Sequence, residues 1–297
     1  MKIKDSRGDR IFQLVVNVLL LMCGLVVLYP LIFVVSASLS APAHVVSGRV
    51  WLLPIDPTLM AYEAVLQHTL IMRSFFNSII YAVSGTLISL IVTTCGAYPL
   101  SRKNMVGRGF FSKLLIFSTL FSGGLIPFYM LVQNLGMLNT RLALILPPAL
   151  SVFHIILMRT HIMTAIPEEM LEAAEIDGCS HFQRLFLMVL PLSGSIIAVL
   201  TLFGVVAQWN AFFLPLIFLF DQNLFPLQLV LRDILVMMNV PAEMMGAMDI
   251  TEIMLRQGLQ DVLRYALIVV SSFPLLLAYP FVQKHFVKGV MMGSMKG

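Results

Sequence analysis

Long apolar runs dominate this 297-residue chain, broken by short clusters of charged, glycine and proline residues. A spanning helix needs about 20 mostly apolar residues. Six stretches meet that length: 11–36, 75–100, 110–135, 141–164, 187–220 and 263–284. The pattern predicts an all-α, polytopic membrane protein with six transmembrane helices, forming a single transmembrane domain over residues 1–297. The fifth stretch is too long for one crossing, so its start and its outer end are expected to leave the lipid core. The third contains Gly123, Gly124 and Pro127, which predict a bend or break. The run from Ile11 to Val35 is interrupted only by Gln13 and Asn17. It exceeds the roughly 7–15-residue core of a signal peptide and reads as a retained first span.

Composition supports the same class. Hydrophobic residues make up 59% and charged residues 11% of the chain, against about 25% charged in soluble domains. So apolar a chain needs lipid as its solvent. The net charge of +4 does not point to nucleic acid, because the basic residues are spread through short loops without interleaved aromatics. With the N-terminus in the cytosol, thirteen Lys and Arg fall on the inner side and six on the outer, as the positive-inside rule requires. Both termini are then cytosolic. Residues 37–72 and 221–262 become outer segments, and 165–186 a cytosolic loop. An amphipathic stretch, Leu227–Met238, lies in the second outer segment, ahead of a polar run through Glu243, Asp249 and Glu252. Cys23, Cys95 and Cys179 form no CxxC pair and are expected as free thiols.

The cytosolic loop has the most specific local pattern. Residues 165–191 read AIPEEMLEAAEIDGCSHFQRLFLMVLP, a helix-turn-helix. Pro167 suits a first helical position, and Glu168 and Glu169 suit the first turn, where the helix dipole favours anions. Gly178 fits a left-handed position past the helix end. Ser180 and Gln183 form an S-x-x-Q capping box for the next helix. Ala173 and Ala174 offer a small-residue face with Glu172, Glu175 and Asp177 around it. A short rigid helix of this kind, joined to the next span, can transmit an external push.

Glu172-Ala173-Ala174, Gly178 and Leu190-Pro191 stand at the spacing of the EAA loop of type I ABC importer permeases, which this loop resembles. Met188 stands where that family often has Ile. EAA alone is a common helical tripeptide; the register with Gly178, Leu190 and Pro191, ahead of the penultimate span, is what makes the match specific. The resemblance implies the type I importer permease fold in a bacterial cytoplasmic membrane. It also implies that Glu172, Ala173, Ala174, Asp177 and Gly178 form a coupling helix docked on an ATPase. Asn77-Ser78-Ile79 at the opening of the second span looks like the maltose-type carbohydrate group. So do Trp209-Asn210 and Phe213-Leu214-Pro215-Leu216. Phe225-Pro226-Leu227-Gln228-Leu229, the tail from Pro280 to Gly289, and Lys296-Gly297 are similar to permeases for oligosaccharides or polysaccharide fragments. The partners so implied are a second homologous permease subunit, a dimer of ATP-binding subunits, an extracytoplasmic solute-binding protein, a carbohydrate substrate and membrane lipid.

What the sequence lacks bears on mechanism. No G-x-x-x-x-G-K-[ST] phosphate loop occurs, so this chain is expected to bind no cofactor itself, with ATP and Mg used by the partner ATPase. It is therefore expected not to be an enzyme. A membrane-bound enzyme would require a polar catalytic cluster, which the sequence does not display. An ion-gradient-driven sugar carrier is one alternative, weakened by the scarcity of charge in the span centres. An ABC permease for amino acids or peptides is another. For a sugar path, Gln208, Trp209 and Asn210 supply amides and an aromatic face, with Asn210 the preferred single residue; consecutive helical positions diverge by about 100° and cannot all face one cavity. Bonding between helices competes with that role. His154, in the fourth span, reads as a hydrogen-bonded packing group or a part of the path.

Overall fold

The computed structural model describes residues 7–121, 123–237, 258, 260–277 and 279–280. The polar run through Glu243, Asp249 and Glu252, the tail from Phe281, and Lys296-Gly297 lie outside the described residues. Every described element is helical, and no strand occurs among the described residues. In chain order the helices are α1 (Arg7–Ser38), α2 (Pro42–Val46), α3 (Met60–Gln67), α4 (Thr69–Ser101), α5 (Arg108–Leu120), α6 (Leu125–Asn134), α7 (Leu142–Ile145), α8 (Val152–Ala165), α9 (Glu168–Ile176), α10 (His181–Leu192), α11 (Gly194–Trp209), α12 (Phe213–Phe218), α13 (Leu227–Met237) and α14 (Gln260–Leu277). Two compact units emerge: Met1–Thr69 with Ile234–Ser272, and Leu70–Asp233 with Phe273–Gly297.

Three helices, α1, α4 and α14, are each long and apolar enough to cross a membrane. The broken pairs α5 with α6, α7 with α8, and α10 with α11 raise the number to six if each pair is one span. The breaks have local causes. Gly124 takes φ +83° just before α6, and Pro127 falls in the first turn of α6, where a missing N–H costs no helical bond. Pro147 and Pro148 lie in a 3-10 turn that ends the first segment at Ala149, and the 46° bend to α8 follows at Leu150 and Ser151. The expected fifth span starts as α10, turns by 81° at Ser193, continues as α11 and stops at Trp209. Inside α10, residues Leu185–Val189 form a π turn. Pro191 lacks an N–H for the carbonyl of Leu187 and its ring crowds that carbonyl, so the wider turn accommodates it.

The faces of α4 are arranged for lipid rather than water. Its buried side carries Ser74, Ser78, Ala82, Gly85, Ser89, Thr93 and Ala97 at helical spacing. Its exposed side carries Phe76, Val83, Leu87 and Ile91. Small residues let helices approach closely in a membrane, where large apolar side chains gain nothing from leaving lipid. Cβ atoms built on two glycines measure that approach. At Gly204 of α11 one would lie 2.9 Å from Thr86 Cγ2, and at Gly85 one would lie 2.8 Å from Gln208 Cδ. The most apolar window of α1 has no residue buried within the chain.

In the unit containing α1, hydroxyls knit the segment that follows that helix. Ser36 Oγ donates to the Leu52 carbonyl at 2.7 Å, Ser40 Oγ donates to the Ser36 carbonyl at 2.7 Å, and Ile55 N donates to Ser40 Oγ at 3.1 Å. Ser38 Oγ and Tyr62 Oη share a 2.7 Å hydrogen bond. In the other unit, one core joins Tyr98, Ile155, Met158, Ile162, Leu171, Leu185 and Val189. Leu171 belongs to α9, so the short helix is seated on the same core that holds α4, α8 and α10. A second core gathers Tyr81, Val132, Leu144 and Phe218.

Candidate coupling turn and cavity

The turn between α9 and α10 is built entirely from local rules. α9 starts at Glu168, with Pro167 at the N-cap in an extended conformation (ψ 136°) rather than at the first helical position expected from sequence. Proline still fits, because the residue before the helix does not need its N–H. At the other end Gly178 takes φ +81°. Cys179 N donates to the Ala174 carbonyl at 2.9 Å and Gly178 N to the Glu175 carbonyl at 3.0 Å, the paired bonds of a Schellman motif. Ser180 and Gln183 then form both halves of the capping box, at 2.8 and 3.3 Å.

Two ion pairs hold this turn in place. Arg184, 3% exposed, pairs with Glu175 and donates to the Leu171 carbonyl at 3.4 Å. Lys103, in the segment after α4, pairs with Glu168 at 2.5 Å. The hydrogen bond from Arg184 holds the Glu175 carboxyl below its ordinary range, and that from Lys103 does the same for Glu168. Glu168 in turn raises Lys103. The depressed carboxylates contribute stability above their ordinary titration range and lose it as pH falls through the depressed values; Lys103 contributes below its ordinary range and loses it as pH rises through the raised one. Amide protection at Gly178 and Cys179 should therefore be flat between roughly pH 5 and 10, and fall outside that window. Hydrogen exchange, expressed as protection factors, checks this.

The face left open is specific. Glu172, Ala173, Asp177 and Gly178 are exposed, while Ala174 is buried. The two alanines therefore do not share one open face: Ala174 packs inward beside Leu171, and Ala173 points out. Ile176 is 87% exposed and Phe182 is 74% exposed on the same turn. Sequence reading did not single out these two. The signal was an apolar residue between polar neighbours, Glu175 and Asp177 for Ile176, and His181 and Gln183 for Phe182.

A cavity of about 160 Å³ lies among α4, α8 and α11, lined by Tyr81, Gly85, Thr86, Ser89, His154 and Gln208 among others. Thr86 Oγ1 is buried without a hydrogen-bond partner among the described residues. The His154 ring stacks on Phe203, with centroids 6.3 Å apart. Gln208 Nε2 donates to the Leu144 carbonyl at 3.4 Å. The named lining side chains carry hydroxyl, amide, imidazole and phenol groups, with no carboxylate, Lys or Arg. Gln208 and His154 are thus brought together. Asn210 lies past the end of α11, exposed, with Nδ2 donating to the Val206 carbonyl at 2.9 Å. Trp209 is 2% exposed and meets Phe75 edge-on at 5.7 Å. Neither Asn210 nor Trp209 lines the cavity.

Asn77 does not open its helix, since α4 begins at Thr69 and Asn77 lies two turns inside it. It instead holds the segment before α13. Its Nδ2 donates to the carbonyls of Asn223 and Phe225, at 2.8 and 3.2 Å, and its Oδ1 accepts from Arg141 at 3.3 Å. Tyr81 Oη donates to the Leu224 carbonyl at 2.7 Å, and Leu227 N donates to Ser78 Oγ at 2.8 Å. A buried polar group left unpaired costs about 1–3 kcal/mol. Asn77→Ala orphans two carbonyls and should lower the thermal midpoint of the detergent-solubilised chain by several degrees, whereas Ile79→Ala on the exposed side should not.

Comparison with known proteins agrees with this architecture. The model of the family described as binding-protein-dependent transport system inner membrane component matches residues 3–292. The polygalacturonan/rhamnogalacturonan transport system permease protein YtcP of Bacillus subtilis is 37% identical over 292 residues, covering 97% of this chain and 99% of that protein. Protein LplC of the same organism is 37% identical over 294 residues, covering 99% and 97%. A chain in the crystal structure of a bacterial ABC transporter involved in the import of the acidic polysaccharide alginate superposes with a TM-score of 0.86. The two are 36% identical over 96% of this chain and 100% of that one.

Proposed function

This chain belongs to the family of binding-protein-dependent transport system inner membrane components, and on that premise we propose that it is one permease subunit of an ATP-driven carbohydrate importer. Its substrate is an oligosaccharide or polysaccharide fragment. The observation that carries the coupling half of this reading is the α9–α10 turn: a helix seated on the span core, clamped by two ion pairs, with Glu172, Ala173, Asp177 and Gly178 open to a partner. Ala174 supports it from within. A dimer of ATP-binding subunits docks there. Closure of that dimer moves α9, and Arg184 and Leu171 carry the motion into α10 and, across the bend at Ser193, into α11.

The cavity supports the carbohydrate half. Tyr81, Thr86, Ser89, His154 and Gln208 offer hydroxyl-matching groups. At about 160 Å³ the cavity is smaller than the roughly 300–1,000 Å³ of typical small-molecule sites, so one sugar unit at most is met by this chain alone. A second permease subunit supplies the opposite wall, and an extracytoplasmic binding protein delivers the sugar to the outer segments. Asn210 and Trp209 then act at the end of α11 through packing and contact with the partner permease. Both termini lie in the cytosol, and ATP and Mg are bound by the partner ATPase.

The test is uptake of a labelled pectin or alginate oligosaccharide by proteoliposomes holding the complex recovered with the tagged chain. Uptake should require ATP and the binding protein, and Gln208→Ala should raise the half-saturating sugar concentration by about tenfold or less, the range of one or two lost hydrogen bonds. Uptake by the chain alone, driven by an ion gradient, would establish the secondary carrier instead.

A further inference from the structure

At the end of the spans that carries most of the basic residues, α5 and α8 exchange side chains. Arg108, the first residue of α5, donates from Nη2 to Met163 Sδ at 3.6 Å on α8. Arg159 of α8 donates from Nη1 to Ser112 Oγ at 3.4 Å on α5. Arg108 Nε also donates to the Leu100 carbonyl at 3.0 Å. These acceptors are neutral, and the contact from Arg159 is long. Arg159 Nε is buried with no hydrogen-bond partner among the described residues. The two guanidinium groups lie within each other's electrostatic reach, yet neither forms an ion pair among the described residues. Glu168, a carboxylate within the field of Arg108, is already held by Lys103.

Two cations drawn together repel each other, and among the described residues the one carboxylate shown in the field of Arg108, Glu168, is taken by Lys103. An anion between them removes that cost. Arginine presents a planar fork that matches phosphate oxygens and is less strongly hydrated than an ammonium. Arg159 stands six residues before the end of α8 at Ala165, about 9 Å at 1.5 Å per residue. Met163 and Phe111 beside the seam are 47% and 46% exposed, so the seam opens outward rather than toward the core of the bundle.

We propose that Arg108 and Arg159 bind one phosphate oxyanion at the α5–α8 seam, supplied by the headgroup of an anionic phospholipid in the leaflet on the basic side. The proposal uses the membrane reading above for the source of the phosphate and is independent of what the chain transports. Bound there, the lipid ties α5 to α8 just beyond the Lys103–Glu168 pair, and so steadies the base on which α9 rests.

Native mass spectrometry of the full chain in mild detergent, titrated with phosphatidylglycerol, phosphatidylcholine or inorganic phosphate, tests this. One phosphatidylglycerol should be retained with about tenfold preference over phosphatidylcholine, the scale of one or two charge-assisted hydrogen bonds. The double variant Arg108→Gln/Arg159→Gln should lose the preference. Arg159→Lys keeps the charge that orients the spans but loses the fork, and should weaken retention. Lys113→Gln, an exposed neighbour on α5, should leave it unchanged. Equal retention by the double variant, or equal loss with Lys113→Gln, overturns the site. Displacement of the lipid by millimolar inorganic phosphate overturns the lipid as its source. ATP-dependent uptake by proteoliposomes holding the complex recovered with each of the same variants separates a failure of this site from a failure of the importer reading.

Discussion

Gly178→Val should abolish most transport, by about tenfold or more, while the protein still inserts in the membrane. Gly178 sits at φ +81°, and a Cβ built on it meets nothing within 4 Å. Sterically there is room for a side chain; only the backbone conformation forbids it. A left-handed conformation costs an L-residue roughly 1–2 kcal/mol, and a β-branched one more. The chain can relieve that strain by abandoning the Schellman bonds from Cys179 and Gly178. α9 then loses its fixed angle to α10, and the open face of Glu172, Ala173 and Asp177 no longer meets its partner in register. Gly178→Asn is the matching control, because asparagine tolerates the left-handed region, and it should retain most uptake. Comparable uptake by the Val and wild-type proteins would remove the coupling role of this turn.

Arg184→Ala should produce the second large effect, and a different one. Arg184 joins the Glu175 side chain, the Leu171 carbonyl and His181 Nδ1, the last at 3.1 Å, from a position 3% exposed. Removing it leaves the Schellman turn formed but unhooks α9 from α10. In the reconstituted complex, ATP hydrolysis should persist while uptake falls by about tenfold or more, since the buried guanidinium is what ties the Leu171 carbonyl and the solvent-exposed Glu175 of α9 to α10. Glu175→Gln should do the same more mildly, since the amide oxygen still accepts from Arg184. A parallel loss of hydrolysis and uptake would instead place Arg184 in assembly alone.

Much of this was legible in the sequence where short-range rules decide. Gly178, Ser180 and Gln183 act within one turn of themselves, and their pattern names their bonds. The break near Gly123, Gly124 and Pro127 was equally local. What escaped depends on distant partners or on the reversed logic of lipid. Arg184 and Lys103 read as orientation charges, because nothing nearby in sequence shows that Glu175 and Glu168 point at them. Asn77 pairs with carbonyls some 146 residues away, so its place in the chain suggested a helix start. The start of α4 at Thr69 was hidden by Arg73, a charge that breaks an apolar run without breaking a helix. The cavity was half legible. Gln208 and His154 stand out as polar residues in spans, whereas Gly85 and Gly204 shape it by having no side chain, and in a membrane helix both faces are apolar enough to blur which one is buried.

The central claim is that α9 drives the spans from an ATPase docked on its open face. A photo-crosslinking residue placed at Ile176, 87% exposed on that turn, and activated in native membranes, tests it most directly. The expected result is capture of an ATP-binding subunit from Ile176, and none from the same residue placed at Leu87 on the exposed apolar face of α4. Capture of no nucleotide-binding protein from Ile176, with ATP-independent uptake intact in the same membranes, would contradict it.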